Sequence, residues 1–134
     1  TGVQMEVGPV ATEFEQEDIG TTLAKCQRYY QKWLSDSVAD SVMTAAAISD
    51  VAFIGDYFLK TSMRSVPTMG TSGTYKARLK TNDRAITGQP SINRATTENV
   101  QIFATIATDN NESGFAGFLK TDDDDAFLEF IAEL

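Results

Sequence analysis

Ile102-Phe-Ala-Thr-Ile-Ala107, then Phe115-Ala-Gly-Phe-Leu-Lys120, then Phe127-Leu-Glu-Phe-Ile-Ala-Glu-Leu134: these segments close the sequence and decide how the rest is read. Ile102, Ala104 and Ile106 alternate with Phe103, Thr105 and Ala107, and Leu128, Phe130, Ala132 and Leu134 alternate with Phe127, Glu129, Ile131 and Glu133. A period of two residues is the mark of a β-strand. The three segments read as an up-and-down meander, joined by Asp109-Asn-Asn-Glu-Ser-Gly114 and by Asp122–Asp125. The final strand is apolar on both faces, which predicts a cover on both sides, from a second sheet or from another chain.

The same alternation extends upstream. Tyr75, Ala77 and Leu79 alternate with Lys76, Arg78 and Lys80, and Val51, Phe53, Tyr57 and Leu59 share a face opposite Asp56 and Lys60. Turn signals stand at Gly70-Thr-Ser-Gly73, Asn82-Asp83 and Gly88-Gln-Pro90. Strands at about 8–12-residue spacing with such punctuation predict an antiparallel β-sandwich, jelly-roll-like, over residues 35–134. Ser35–Ser41 is a small, polar linker before it.

The N-terminal part differs. Asp18 is a helix cap, and Ile19, Leu23, Cys26, Tyr30 and Trp33 are spaced four, three, four and three, which predicts one helix over 18–34. That spacing is also a heptad seam, so the helix either lies on a sheet or forms a short collar about a symmetry axis. Residues 1–17 read as a terminal strand (Val3, Met5, Val7) ended by Gly8-Pro9 and followed by a linker. A lone terminal strand needs a partner, so the chain reads as a piece of a longer protein, with a native terminal strand as the alternative.

Composition bounds the chemistry. The 134 residues carry 19 acidic and 11 basic side chains and no histidine, for a net charge of −8. The acidic balance argues against nonspecific nucleic-acid binding, and no apolar run approaches the ~18–20 residues of a membrane helix. Without histidine there is no Ser–His or Cys–His nucleophile pair and no His-ligated metal. Cys26, the single cysteine, reads as a buried, inert thiol. Asp122–Asp125 and Asp109–Glu112 offer oxygen ligands but lack EF-hand spacing, and a solvated turn is the simpler reading. Gly114-Phe-Ala-Gly117 lacks the helix and lysine of a phosphate loop. No catalytic residue, metal or cofactor is therefore expected.

Binding chemistry is better represented. Lys76, Arg78 and Lys80 place positive charges about 7 Å apart along one strand face, either for acidic ligands or as protection of a sheet edge. The loops 81–90 and 109–114 are rich in groups that hydrogen-bond sugar hydroxyls, and Tyr57, Tyr75 and Trp33 are aromatic platforms or core. By chemistry alone the ligand-binding candidates are Tyr75, Arg78, Asn82, Asp83, Arg84, Asn110 and Asn111.

Thr1-Gly-Val-Gln-Met-Glu-Val-Gly-Pro-Val-Ala-Thr-Glu-Phe-Glu15 and Leu23-Ala-Lys-Cys-Gln-Arg-Tyr-Tyr-Gln-Lys32 resemble consecutive segments of bacteriophage tail fibre and virion fibre proteins. Met63-Arg-Ser-Val-Pro-Thr68 and the closing Ala132-Glu-Leu134 are similar to shorter elements of the same family, in the same order. Glu13 stands where the family usually has Pro, and Leu34–Ala47 is longer than its usual loop. The resemblance implies a homotrimeric C-terminal module of a virion fibre, assembled in the bacterial cytoplasm with other virion proteins, that binds a host surface polysaccharide. It also implies that Ile19, Leu23, Cys26, Tyr30 and Trp33 form the trimer interface. A purely structural trimerisation component and the end domain of a polysaccharide-depolymerising tailspike are the alternatives.

Overall fold

A computed structural model describes residues 7–10, 13, 17–107 and 113–133. It is mainly β with one short helix, as the sequence predicts. Helix α1 (Ile19–Gln27) is followed by strands β1 (Tyr30–Leu34), β2 (Ser41–Ala47), β3 (Ala52–Phe58), β4 (Thr68–Ser72) and β5 (Tyr75–Leu79). Four more complete the chain: β6 (Asn82–Ala95), β7 (Asn99–Ile106), β8 (Ala116–Thr121) and β9 (Phe127–Ile131). Six strands close into an antiparallel barrel in the order β2-β3-β7-β6-β5-β8, and the other three form a separate sheet, β1-β9-β4. The sandwich expectation is met in its antiparallel, mainly β character, but the strands divide into a barrel and a small sheet.

The meander expectation is corrected. β7 pairs with β3 and β6, β8 with β2 and β5, and β9 with β1 and β4, so none of the last three strands touches another in register. The linker Asp122–Asp125 carries the chain out of the barrel and into the small sheet.

Alternation of side chains fills the barrel. Phe53, Tyr75, Ala77, Leu79, Val100, Ile102, Ala104, Ile106 and Leu119 are all buried. One inner row crosses the wall as Leu79, Gly117, Ala45, Gly55 and Ile102. Its small members leave room for Leu79 and Ile102, a large–small alternation that fits the interior of a narrow barrel. Gly117 is obligatory here, since a Cβ at that position would sit 1.9 Å from the Arg78 carbonyl oxygen.

Three predicted turns fall wholly or largely inside strands. Gly88-Gln-Pro90 falls within β6, in a register shift between Thr87 and Ser91 where no residue pairs with β7. Gly88 has φ +73 and proline lacks an N–H, so both suit a bulge, which bends the long strand. Gly70-Thr-Ser72 is the end of β4, and the true turn is at Gly73, φ +92. Asn82-Asp83 opens β6, because the hairpin turns one step earlier at Lys80-Thr81, with Lys80 at φ +54.

The predicted helix over 18–34 ends at Gln27. Asp18 caps it as expected, its carboxylate accepting from the Thr21 N–H at 3.2 Å. The far end is closed by the Gln31 side chain, whose Nε2 donates to the Gln27 carbonyl at 3.0 Å. From Tyr30 the chain runs as β1, where β-favouring Tyr30 and Trp33 pair with Ile131 and Leu128. The five-residue seam is thus broken, and Tyr30 and Trp33 lie on opposite faces of a strand. Trp33 packs on the chain's own core, and Cys26, expected to be buried, is exposed.

The sheet leans on the barrel through a few defined contacts. Tyr57 stacks on Phe130 with ring centroids 4.9 Å apart. The Tyr75 hydroxyl lies 2.7 Å from the Phe127 carbonyl oxygen and 3.0 Å from that of Ser72. Asp123 accepts from both the N–H and the hydroxyl of Thr74 at 2.6 Å. The predicted linker 35–41 is a closed loop, drawn in by Asp40. Its carboxylate accepts from the Asp36 N–H at 3.0 Å, the Ser37 hydroxyl at 2.9 Å and the Ser35 hydroxyl at 3.2 Å, and these bonds hold its pKa low.

A candidate binding cleft on the barrel wall

The weakest seam of the barrel is between β2 and β3. Their ladder holds only Ala45↔Gly55, Ala46↔Ile54 and Ala47↔Phe53. Beyond Gly55, β3 continues against β7 to Phe58↔Asn99, while β2 continues against β8 toward Ser41↔Lys120. The two strands diverge and an open cleft forms between them. It consists of adjoining hollows of about 380 and 450 Å³ that share Thr44, Asp56 and Phe58. Val42, Met43 and Tyr57 line the first together with Lys60, and Ala45, Ala46, Ile54 and Ala116 line the second.

Phe58 is the notable side chain. It is 75% exposed at the end of β3, the most exposed aromatic side chain among the described residues. It shares the outward face of the strand with Asp56 and Ile54, which pair in register with Gln101 and Phe103 of β7. The Asp56 carboxylate receives the Gln101 amide at 3.4 Å, and Gln101 accepts from Asn93 Nδ2 at 2.7 Å. An exposed ring beside a carboxylate, a threonine hydroxyl and an ammonium can stack on one ligand face while exchanging hydrogen bonds at its rim. The parity of β3 carries the signal that could have found this site: Phe58 is an aromatic residue on the polar face, in step with Asp56 and Lys60.

The ligand candidates from the sequence do not form a comparable site. Tyr75 is 4% exposed, a core residue that offers no open ring, and burial pushes its hydroxyl pKa up. Arg78 and Asp83 face each other in register across β5 and β6, 3.3 Å apart, and are spent on one another. Asp83 also binds Lys120 at 2.5 Å, and that hydrogen bond, helped by the charges of Lys120, Arg78 and Lys76, holds its carboxyl below the usual range. Arg84 pairs with the buried Ala77, on the opposite strand face from Asp83, and Asn82 is exposed beside the turn. Asn110 and Asn111 lie outside the described residues. Tyr57 and Trp33 both pack against the core.

The basic stripe is likewise accounted for. Lys76 meets Asp122 at 2.5 Å, and the Lys80 ammonium lies 3.7 Å from the centroid of Phe115. β5 is flanked by β6 and β8, so edge protection does not explain the stripe. It is a charge network on the outside of a closed wall. Among the described residues no group of acidic or cysteine side chains gathers to hold a metal, and no helix is long and apolar enough to cross a membrane.

No family model matches the chain, and neither a comparison with curated proteins nor one with solved structures found a match.

Proposed function

We propose that the chain is the C-terminal module of a bacteriophage virion fibre, that it works as a homotrimer, and that it attaches the particle to host surface polysaccharide by binding, not catalysis. The resemblance of residues 1–15, 23–32 and 63–68 to fibre proteins supports the reading. So does the barrel, a rigid scaffold with an open cleft on its wall.

The observation that carries the trimer is helix α1. It buries none of its residues, and Ile19 and Leu23 are 83% and 54% exposed. A nine-residue helix is marginal alone in water, so its apolar stripe calls for a partner surface, which copies around an axis supply. The interface so proposed keeps Ile19, Leu23, Cys26 and Tyr30, the last as an outward residue of β1, and drops Trp33.

Sedimentation and adsorption test this together. The module should sediment at the mass of three chains, and the free module should block adsorption of phage carrying the parent fibre. A trimer that fails to compete would assign it a structural role, and reducing-sugar release from host capsule would assign it to a depolymerase.

A further inference from the structure

We infer that the β2–β3 cleft is a saccharide site for a neutral, unsulfated and uncarboxylated glycan, with Phe58 as the stacking platform and Asp56 as the principal hydrogen-bond acceptor. The inference rests on the attachment reading and adds where and what the module binds.

The shape comes first. The β2–β3 ladder ends at Ala45↔Gly55, so the cleft is built into the barrel framework and is not a feature of a surface loop. Small residues, Ala45, Ala46 and Ala116, leave one half of it roomy. A pyranose ring presents an apolar C–H face and a rim of hydroxyls. The exposed ring of Phe58 suits the first, and the carboxylate and hydroxyl of Asp56 and Thr44 suit the second. An ionised carboxylate only accepts, and its two oxygens can take two vicinal hydroxyls in charge-assisted bonds. Gln101 donates a long bond, 3.4 Å, to Asp56 from the side and leaves its second oxygen for a ligand.

Charge decides the ligand class. The cleft carries one carboxylate and one ammonium, Asp56 and Lys60, and so is locally balanced. Three cations of the barrel wall, Lys76, Arg78 and Lys120, are occupied by Asp122 and Asp83. A polyanionic glycan would meet Asp56 directly and a chain of net charge −8 at longer range. A neutral hexose or N-acetylhexosamine polymer meets neither penalty.

Isothermal titration against hexasaccharides tests this, with gluco, galacto, manno and N-acetylglucosamine series set beside a galacturonate series. At least one neutral series is expected to bind, and the galacturonate series is expected not to. Phe58→Ala should weaken binding about tenfold or more, Phe58→Trp should retain it, and Asp56→Asn should weaken it. Because Phe58 is largely exposed, these variants should keep wild-type melting temperatures. Binding of galacturonate alone, no binding of any neutral series, or affinity indifferent to Phe58→Ala would overturn the inference. A variant that loses oligomeric mass would overturn it too, by making the cleft a contact between copies. Adsorption blocking that survives Phe58→Ala would leave attachment standing and remove only this site, whereas absence of blocking by the wild type would remove the attachment reading itself.

Discussion

The barrel and the small sheet are built from similar strands and solve different problems. In the barrel every strand has two neighbours, so the wall has no edge, and its centre is filled by fully buried Phe53, Leu79, Val100, Ile102 and Leu119. The sheet β1-β9-β4 has two open edges and one face on the core. Its outer face shows Tyr30 at 45% and Leu34 at 59% exposure, with Lys32 lying 3.9 Å over the ring of Phe127. Closure gives the barrel the rigidity a preformed site needs. The sheet and α1 form an outer layer held by fewer contacts, with Ile19, Leu23, Tyr30 and Leu34 exposed on it.

Gly117→Val should break the barrel side of this contrast. A side chain there collides with the Arg78 carbonyl in a closed wall that cannot spread, costing about 3 kcal/mol or more. Denaturant unfolding should show the loss, and saccharide binding should disappear with the fold.

Gln31→Ala should affect the outer layer and spare the barrel. Gln31 is a polar residue at 6% exposure that ties three elements together. Its Nε2 donates to the carbonyls of Gln27 and Thr61 at 3.0 and 2.7 Å, and its Oε1 accepts from the Lys60 N–H at 2.8 Å. Removing it strands these groups for about 2 kcal/mol. Amide exchange should quicken in α1 and Tyr30–Leu34 while Val100–Ile106 stays protected.

The smallest effect is electrostatic. Asp83, Asp123 and Asp40 all have carboxyl pKa values lowered in the folded chain by hydrogen bonds. The folded state therefore binds fewer protons than the unfolded one below the ordinary aspartate value of about 3.9. Stability should be flat above about pH 5 and fall as acid takes pH through the lowered values. Asp83→Asn should cost about 1 kcal/mol at neutral pH, with Lys120 left without its counter-charge, and should make the acid slope shallower.

Strands were legible in the sequence at Tyr75-Ala77-Leu79 and Ile102-Ala104-Ile106, where large apolar residues alternate with polar or outward ones, but not at β2, whose inner face is Met43, Ala45 and Ala47. β1 was not, because its inward residues are Gln31 and Trp33. The polar Gln31 hides the two-residue period and leaves Tyr30 and Trp33 to extend a helical one. The first part of β6 reads as the loop 81–90 because Gly88 and Pro90 are common to turns and bulges, and only the pairing partner distinguishes them. Strand order was beyond local pattern altogether, since β8 and β9 separate into different sheets across four aspartates. The cleft depends on that order. No local pattern reports that β2 and β3 part company after Ala45 and Gly55, although the polar-face position of Phe58 was visible.

The central claim is that the barrel wall between β2 and β3 is the binding surface. The most direct test is a map of amide chemical-shift changes on titrating the neutral hexasaccharide that binds. Shifts should concentrate at Thr44–Ala46, Ile54–Lys60 and Ala116, with Gln101 beside them. Shifts confined to Arg78–Arg84, or to the outer face of the small sheet, would contradict it.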